Sequence, residues 1–186
     1  GYWSRGLGDV YKRQVWPGYH DSIFGVSLDI GSTTVAACLS DLSSGDVIAS
    51  VNTMNPPIRV GEDLMSRVSF AMMNSNGAHQ MTESIRGAIN DLLHELTEES
   101  NVPLTSILEI SIVANPVMHH ILLGIDPCEL GGAPFSLAID TSVSEAAVNF
   151  GLNINPGGKV YVLPCIAGHV GADTAGVILS EKPFSN

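Results

Sequence analysis

Residues Ser27–Cys38 read SLDIGSTTVAAC, an acid, a glycine and a run of three hydroxyl residues set between two apolar stretches. A strand favours β-branched and apolar residues, so the polar interruption calls for a reason. It is either a hairpin turn with Asx chemistry or a loop shaped to take a phosphate and its metal. The six residues DIGSTT do not decide this alone; the flanking sequence does.

Working outward, IFGVSLDI, TTVAACLSDL and DVIASVNTMN are three apolar runs, and Ser43-Ser44-Gly45-Asp46 is a hairpin loop between the second and third. Three antiparallel strands are expected. NPPIRVGED is a proline-broken loop that cannot join a central strand. EDLMSRVSFAMM then puts Leu64, Val68 and Ala71 on one helical face, and Asn74–Gly77 ends that helix. In HQMTESIRGAINDLLHELTEES, Met81, Ile85, Ile89, Leu92, Leu93 and Leu96 recur at helical spacing, with Glu83, Arg86, Asn90 and Glu95 opposite. ILEISIVANP is a fourth strand, and Asn115-Pro116 opens a helix through VMHHILLG. Residues 124–158 are rich in Gly, Pro and Ser and are expected to be an insertion or loose connection. KVYVLPCI is a fifth strand, and GADTAGVILSEK a final helix.

Composition narrows the function. The chain has 186 residues, 45% apolar and 15% charged, which suits one well-buried domain. A net charge of −11 argues against a nucleic-acid partner. No apolar run is long enough to span a membrane, and no signal peptide is recognisable. Cys38, Cys128 and Cys165 show neither metal-ligand spacing nor a disulfide framework, so a reducing cytoplasm is the simplest setting, with all three packed as small apolar residues. The opening GYWSRGLGDVYKRQ has no apolar period yet carries three of the eight basic residues. It resembles adapter read-through at the end of an assembled sequence, and residues 1–14 are set aside as non-native; a native basic extension is the rival reading.

The order β-β-β-α-α-β-α-β-α implies a mixed sheet covered by helices, because parallel strands need crossovers. It resembles the ribonuclease-H-like subdomain of the actin, sugar kinase and Hsp70 (ASKHA) ATPases: an α/β fold with a five-stranded mixed sheet and helices on both faces, here over residues 22–182. In that fold the first hairpin turn is a phosphate loop, and DIGSTT resembles its pattern. Asp29 at a strand end suits magnesium, held partly through water. Gly31 keeps a Cβ out of the way, the amides of Ser32, Thr33 and Thr34 can form an anion-binding concavity, and the hydroxyls of Thr33 and Thr34 can donate to phosphate. In GHVGADTAG, Gly171 and Gly176 allow close helix contact. Asp173 falls in a first turn, where the helix dipole alone favours an acid. The functional alternative is that Asp173 is the catalytic residue, facing Asp29 across a cleft and orienting water or metal.

A closer resemblance runs from Phe24 to Leu179. GVSLDIGSTTVAACLSDLSSGDVIASVNTMNPPIRVGEDLMSRVSFA, ANPVMHHILLGIDP, GGAPF and LPCIAGHVGADTAGVIL look like the ATPase region of the reductive activators of corrinoid proteins (RACo), also described as ASKHA-domain corrinoid activation and regeneration proteins. The resemblance implies an ATP- and Mg²⁺-dependent redox helper. It would drive electrons from a [2Fe–2S] cluster to an inactive Co(II) corrinoid protein of methyl transfer, restoring Co(I), and it allows a homodimer. The family's cluster domain precedes this region, and its second phosphate loop follows it. Both are absent here, so the chain is expected to be the first of two ATPase subdomains and inactive as an ATPase alone.

Rival readings are an activator ATPase of 2-hydroxyacyl-CoA dehydratase type, which would use a cluster cysteine near Cys165, a sugar or acetate kinase, and a non-catalytic docking or dimerisation module. His119 and His120 are expected to serve helix packing and surface hydrogen bonding, because a pair without a third ligand is a poor metal site. Glu62, Asp63 and Arg67 are expected to form a solvated helix start with a local ion pair.

Overall fold

The computed structural model describes residues 22–61, 63–174 and 176. The N-terminal tail, His20, Glu62 and the final helix beyond Gly176 lie outside the described residues. Strands β1 (Phe24–Ile30), β2 (Thr34–Asp41) and β3 (Val47–Met54) form the antiparallel meander that the three apolar runs require, with Ile30 opposite Val35 and Phe24 opposite Asp41. The β2–β3 turn is built from Asx chemistry: Ser43 N–H donates to Asp41 Oδ1 at 2.8 Å, and Gly45 takes the left-handed φ of 85° that the reversal needs.

Two helices then leave and return. In α1 (Leu64–Met73) Asp63 is the N-cap, its Oδ1 accepting from Ser66 N–H at 2.6 Å. The longer α2 (Gly77–Ser100) ends at Asn101 in the left-handed conformation. The chain re-enters the sheet as β4 (Ile107–Ala114), parallel to β1. It leaves through α3 (Pro116–Leu123), where Asn115 Oδ1 accepts from Met118 N–H at 3.0 Å and Pro116 occupies the first turn, as the helix-start rules predict.

The 124–158 stretch is not the loose connection expected. It contains β5 (Val143–Ala146), and two 3₁₀ turns, Cys128–Gly131 and Ala147–Phe150, which bury Leu130, Ala147 and Phe150. A four-residue strand with two exposed residues has almost no sequence signal; it exists because β6 (Lys159–Val162) offers it an antiparallel partner. The sheet therefore has six strands rather than five, in the order β3-β2-β1-β4-β6-β5. With its meander, central parallel pair and crossover helices, this is the ribonuclease-H-like α/β arrangement of the ASKHA ATPases, extended by one edge strand.

Strand alternation divides the sheet. Val26, Leu28, Ile30, Val35, Ala37, Leu39, Ile110, Ile112 and Ala114 face α1–α3 and join Met81, Ile85, Ile89, Leu92, Leu93 and Leu96 in one buried core. Each such side chain contributes at most about 1.5–3 kcal/mol through burial. The other face carries Gly25, Ser27, Asp29, Ala36, Cys38, Ser40, Ser111 and Val113. The helix that starts at Ala172 meets this second face, since a Cβ on Gly176 would stand 3.2 Å from Val113 Cγ1. Helical residues thus meet both faces.

Candidate functional site

The carboxyl ends of the parallel strands β1 and β4 lie side by side, with Asp29 paired to Val113 and Ile30 to Ala114. Open α/β sheets place ligands outside such ends. From this edge emerge the Gly31–Thr33 loop after β1 and the Asn115 cap of α3 after β4. The loop is closed by Gly31 N–H donating to Thr34 O at 3.0 Å. A Cβ on Gly31 would stand 3.1 Å from that same oxygen, so the turn's own tightness, besides any approaching phosphate, asks for glycine.

Asp29 follows Leu28 in the alternation and so turns to that second face, where it keeps solvent access at the rim of a cavity of about 270 Å³. Ser27, Ala36, Cys38, Ser111, Val113 and Leu163 complete the lining. Its carboxyl pKa is raised, first because neighbouring strands strip part of its hydration and second because the Asp173 charge is close. The two acids that the sequence offered as partners are therefore brought together.

Gly171 makes the approach feasible: a Cβ there would meet Asp173 Oδ1 at 2.5 Å and Ala114 O at 2.7 Å. Asp173 is exposed, and its Oδ1 also accepts from Thr174 N–H at 2.8 Å. The Asp173 charge adds to the cost of ionising Asp29, and a divalent cation beside them would relieve it. The donor set thus fits magnesium bound by few carboxylates and completed by water. Ser32 is half-buried, while Thr33 and Thr34 are exposed at the same edge.

Beneath the loop lies the residue that sequence reasoning misassigned. Arg67 is not part of a solvated helix start: its relative exposure is 0%. It donates through Nη2 to Ser32 O, through Nε to Gly61 O at 3.3 Å and through Nη1 to the Met118 sulfur. Asp63 spends its carboxylate on the Ser66 amide, the main reason its pKa is lowered, and Glu62 lies outside the described residues. Burial pushes the Arg67 pKa below its ordinary value, but a guanidinium stays charged. The signal was present: Arg67 falls within the Leu64-Val68-Ala71 stripe and so points inward with it. Asn55, equally buried, was missed because it sits in a proline-broken loop.

The histidine pair is also internal. His120 Nε2 accepts from Ala138 N–H at 3.0 Å, which leaves Nδ1–H to donate to Pro116 O at 2.8 Å and ties the chain after the Cys128–Gly131 turn to α3. His119 is fully buried, and among the described residues neither ring nitrogen has a hydrogen-bond partner of normal geometry; burial and then the His120 charge take its pKa down to about 4, against an opposing pull from the Leu163 backbone. Packing was expected of this pair, surface hydrogen bonding was not met. Cys165 is buried, and that burial is the main reason its thiol pKa is pushed up to about 11. Among the described residues no group of three or more His, Cys, Asp or Glu is placed to hold a metal ion, and no helix is long and apolar enough to cross a membrane.

The RACo middle region family matches residues 24–182. The corrinoid activation enzyme RamQ of Eubacterium limosum is 31% identical over 157 residues, which is 84% of this chain and 26% of RamQ. The solved structure of a reductive activator for corrinoid, iron-sulfur protein superposes with a TM-score of 0.85 at 30% identity, covering 88% of this chain and 26% of that one. The chain thus spans about a quarter of the length of the relatives it matches. Matched over nearly all its described residues, the chain belongs to the RACo middle region family.

Proposed function

We propose that this region is the phosphate- and metal-facing part of the nucleotide cleft in an ATP-dependent reductive activator of corrinoid proteins. The observation that carries the reading is the meeting of Asp29 and Asp173 at the carboxyl ends of β1 and β4, beside a hydroxyl-rich turn. The relatives' names, a corrinoid activation enzyme and a reductive activator, supply the reaction class. In the parent protein, ATP hydrolysis would make an uphill one-electron reduction of Co(II) to Co(I) in a partner corrinoid protein feasible, with the electron supplied by an iron–sulfur domain outside this chain.

The roles of the residues follow from their positions. The amides of Ser32 and Thr33 and the hydroxyls of Thr33 and Thr34 bind and orient phosphate oxygens. Asp29 would hold Mg²⁺, which would supply charge compensation for the phosphates. Asp173 accepts a hydrogen bond from the attacking water and orients it. The remainder of the cleft, including the adenosine site, belongs to a second subdomain, and this piece alone is expected to hydrolyse ATP poorly.

Cys165, the cysteine on which the dehydratase-activator reading would rest, is 3% exposed. Calorimetric titration of MgATP into this region and into the full-length protein tests the proposal. Binding by the full-length protein, abolished by Asp29→Ala, is the expected result. No binding by either would overturn it and leave a docking or dimerisation module.

A further inference from the structure

The DIGSTT turn rests on a buried polar layer that phosphate binding, as described so far, does not use. Three consecutive carbonyls of the turn are held from below: Gly31 O accepts from Asn55 Nδ2 at 2.6 Å, Ser32 O from Arg67 Nη2, and Thr33 O from Asn55 N–H at 2.8 Å. In a planar trans peptide the carbonyl of one residue and the N–H of the next point in opposite directions. Fixing the Gly31 and Ser32 oxygens inward therefore turns the Ser32 and Thr33 amides outward. Among the described residues neither of these amides has an acceptor. A buried backbone donor without a partner would be a defect; at this edge the two amides instead face a space where an anion can reach them.

The charge of Arg67 points the same way. Its guanidinium is fully buried, and among the described residues no carboxylate forms an ion pair with it. Asp63, the acid whose charge it feels, is committed to capping α1. A buried cation that a capping carboxylate only partly offsets is costly, and the negative charge of a ligand would complete the balance. The backbone around it is shaped for this placement: a Cβ on Gly61 would overlap Ser66 Cβ at 2.2 Å, and that close approach presents Gly61 O to Arg67 Nε.

We propose that Arg67 is a positioning residue for the polyphosphate of the nucleotide: with Asn55 it holds the Ser32 and Thr33 amides toward the phosphates, and its charge is balanced by them when they bind. The proposal rests on the nucleotide reading above and adds to it a residue that touches no substrate. Its signature is dependence on phosphate number. Loss of Arg67 weakens ligands in proportion to the negative charge they place at the loop and leaves the nucleoside end untouched.

The test uses the full-length protein, with ATP, ADP, AMP and inorganic tripolyphosphate titrated by calorimetry into wild type, Arg67→Met and Arg67→Lys. Methionine keeps the apolar volume and removes the charge, a replacement that buried ionic groups often tolerate. Expected is a loss of tenfold or more for ATP and tripolyphosphate, a smaller loss for AMP, and a melting temperature within a few degrees of wild type. Arg67→Lys, which keeps the charge but not the fork of donors, should recover part of the loss. Should Arg67→Met fail to fold, a threefold or greater loss of tripolyphosphate affinity in Arg67→Lys carries the same weight. Unchanged affinities in the variants, with wild type binding ATP, would overturn the role of Arg67 and leave the nucleotide reading intact. An equal loss for AMP and ATP with a fallen melting temperature would reduce Arg67 to a structural residue. A wild-type protein that binds no nucleotide would overturn both.

Discussion

The two faces of the sheet are built from the same strands and differ in almost everything else. On β1, Val26, Leu28 and Ile30 sink into the helix layer, while Gly25, Ser27 and Asp29, alternating with them, form a floor of small and polar groups on the other side. A strand side that packs must offer shape and apolar area; one that receives a ligand must leave room and keep its polar atoms unspent. On the proposed function, stability is concentrated on one face and chemistry on the other, with a two-residue period separating them.

The largest expected effect attacks the packed face. Ile112 is fully buried at the centre of the sheet, between Leu28 and Val162. Ile112→Ala should cost about 2–5 kcal/mol, a large part of the roughly 5–15 kcal/mol that holds a domain together. Ser27→Ala, on the opposite face, should stay within about 0.5 kcal/mol. Urea unfolding measures both, and comparable losses would break the division between the faces.

The next effect sharpens it through pH. His119 belongs to the packed layer and is held neutral, with its pKa down from 6.5 to about 4. A base depressed on folding contributes stability that is present above its unfolded pKa and lost as pH falls toward the folded value. Stability should therefore decline between about pH 6.5 and 4. His119→Phe should flatten that decline, leaving the part due to His120, whose pKa burial also lowers. An unfolding midpoint as pH-sensitive in the variant as in wild type would contradict the assignment.

The smallest effect has the opposite sign. Asp29 has a raised pKa, so its ionisation works against folding as pH rises above the ordinary carboxylate range. Asp29→Asn should be slightly more stable than wild type at neutral pH, the advantage vanishing below about pH 4, while MgATP binding is lost. A variant that is less stable at pH 7 would place Asp29 with the packing residues instead.

Much of this was legible in the sequence because it rests on local chemistry. The Asn115-Pro116 helix start, the Ser43–Asp46 turn and the period of α2 each need only neighbours along the chain. The edge strand β5 was not legible, since four residues such as Val143–Ala146 become a strand only when β6 lies beside them. Arg67 was missed for a related reason: a cation four residues after an acid suggests an exposed ion pair, and only the return of the chain around Ser32 and Met118 explains why it is buried. The convergence of Asp29 and Asp173, 144 positions apart in number, depends on the whole crossover.

The parallel pairing of β1 with β4 has a further consequence in time. Ile30 and Ile107 belong to adjacent strands, yet two more strands and two helices are made between them. During synthesis the β1–β2–β3 meander can form as it emerges, whereas the β1–β4 ladder must wait for a long loop to close. The turn at Gly31 thus exists in nascent form well before its acidic counterpart, because Asp173 leaves the ribosome after every described strand. Mutual repulsion of the two carboxylates enters the energy balance only when the hydrophobic layer is already available to hold them together.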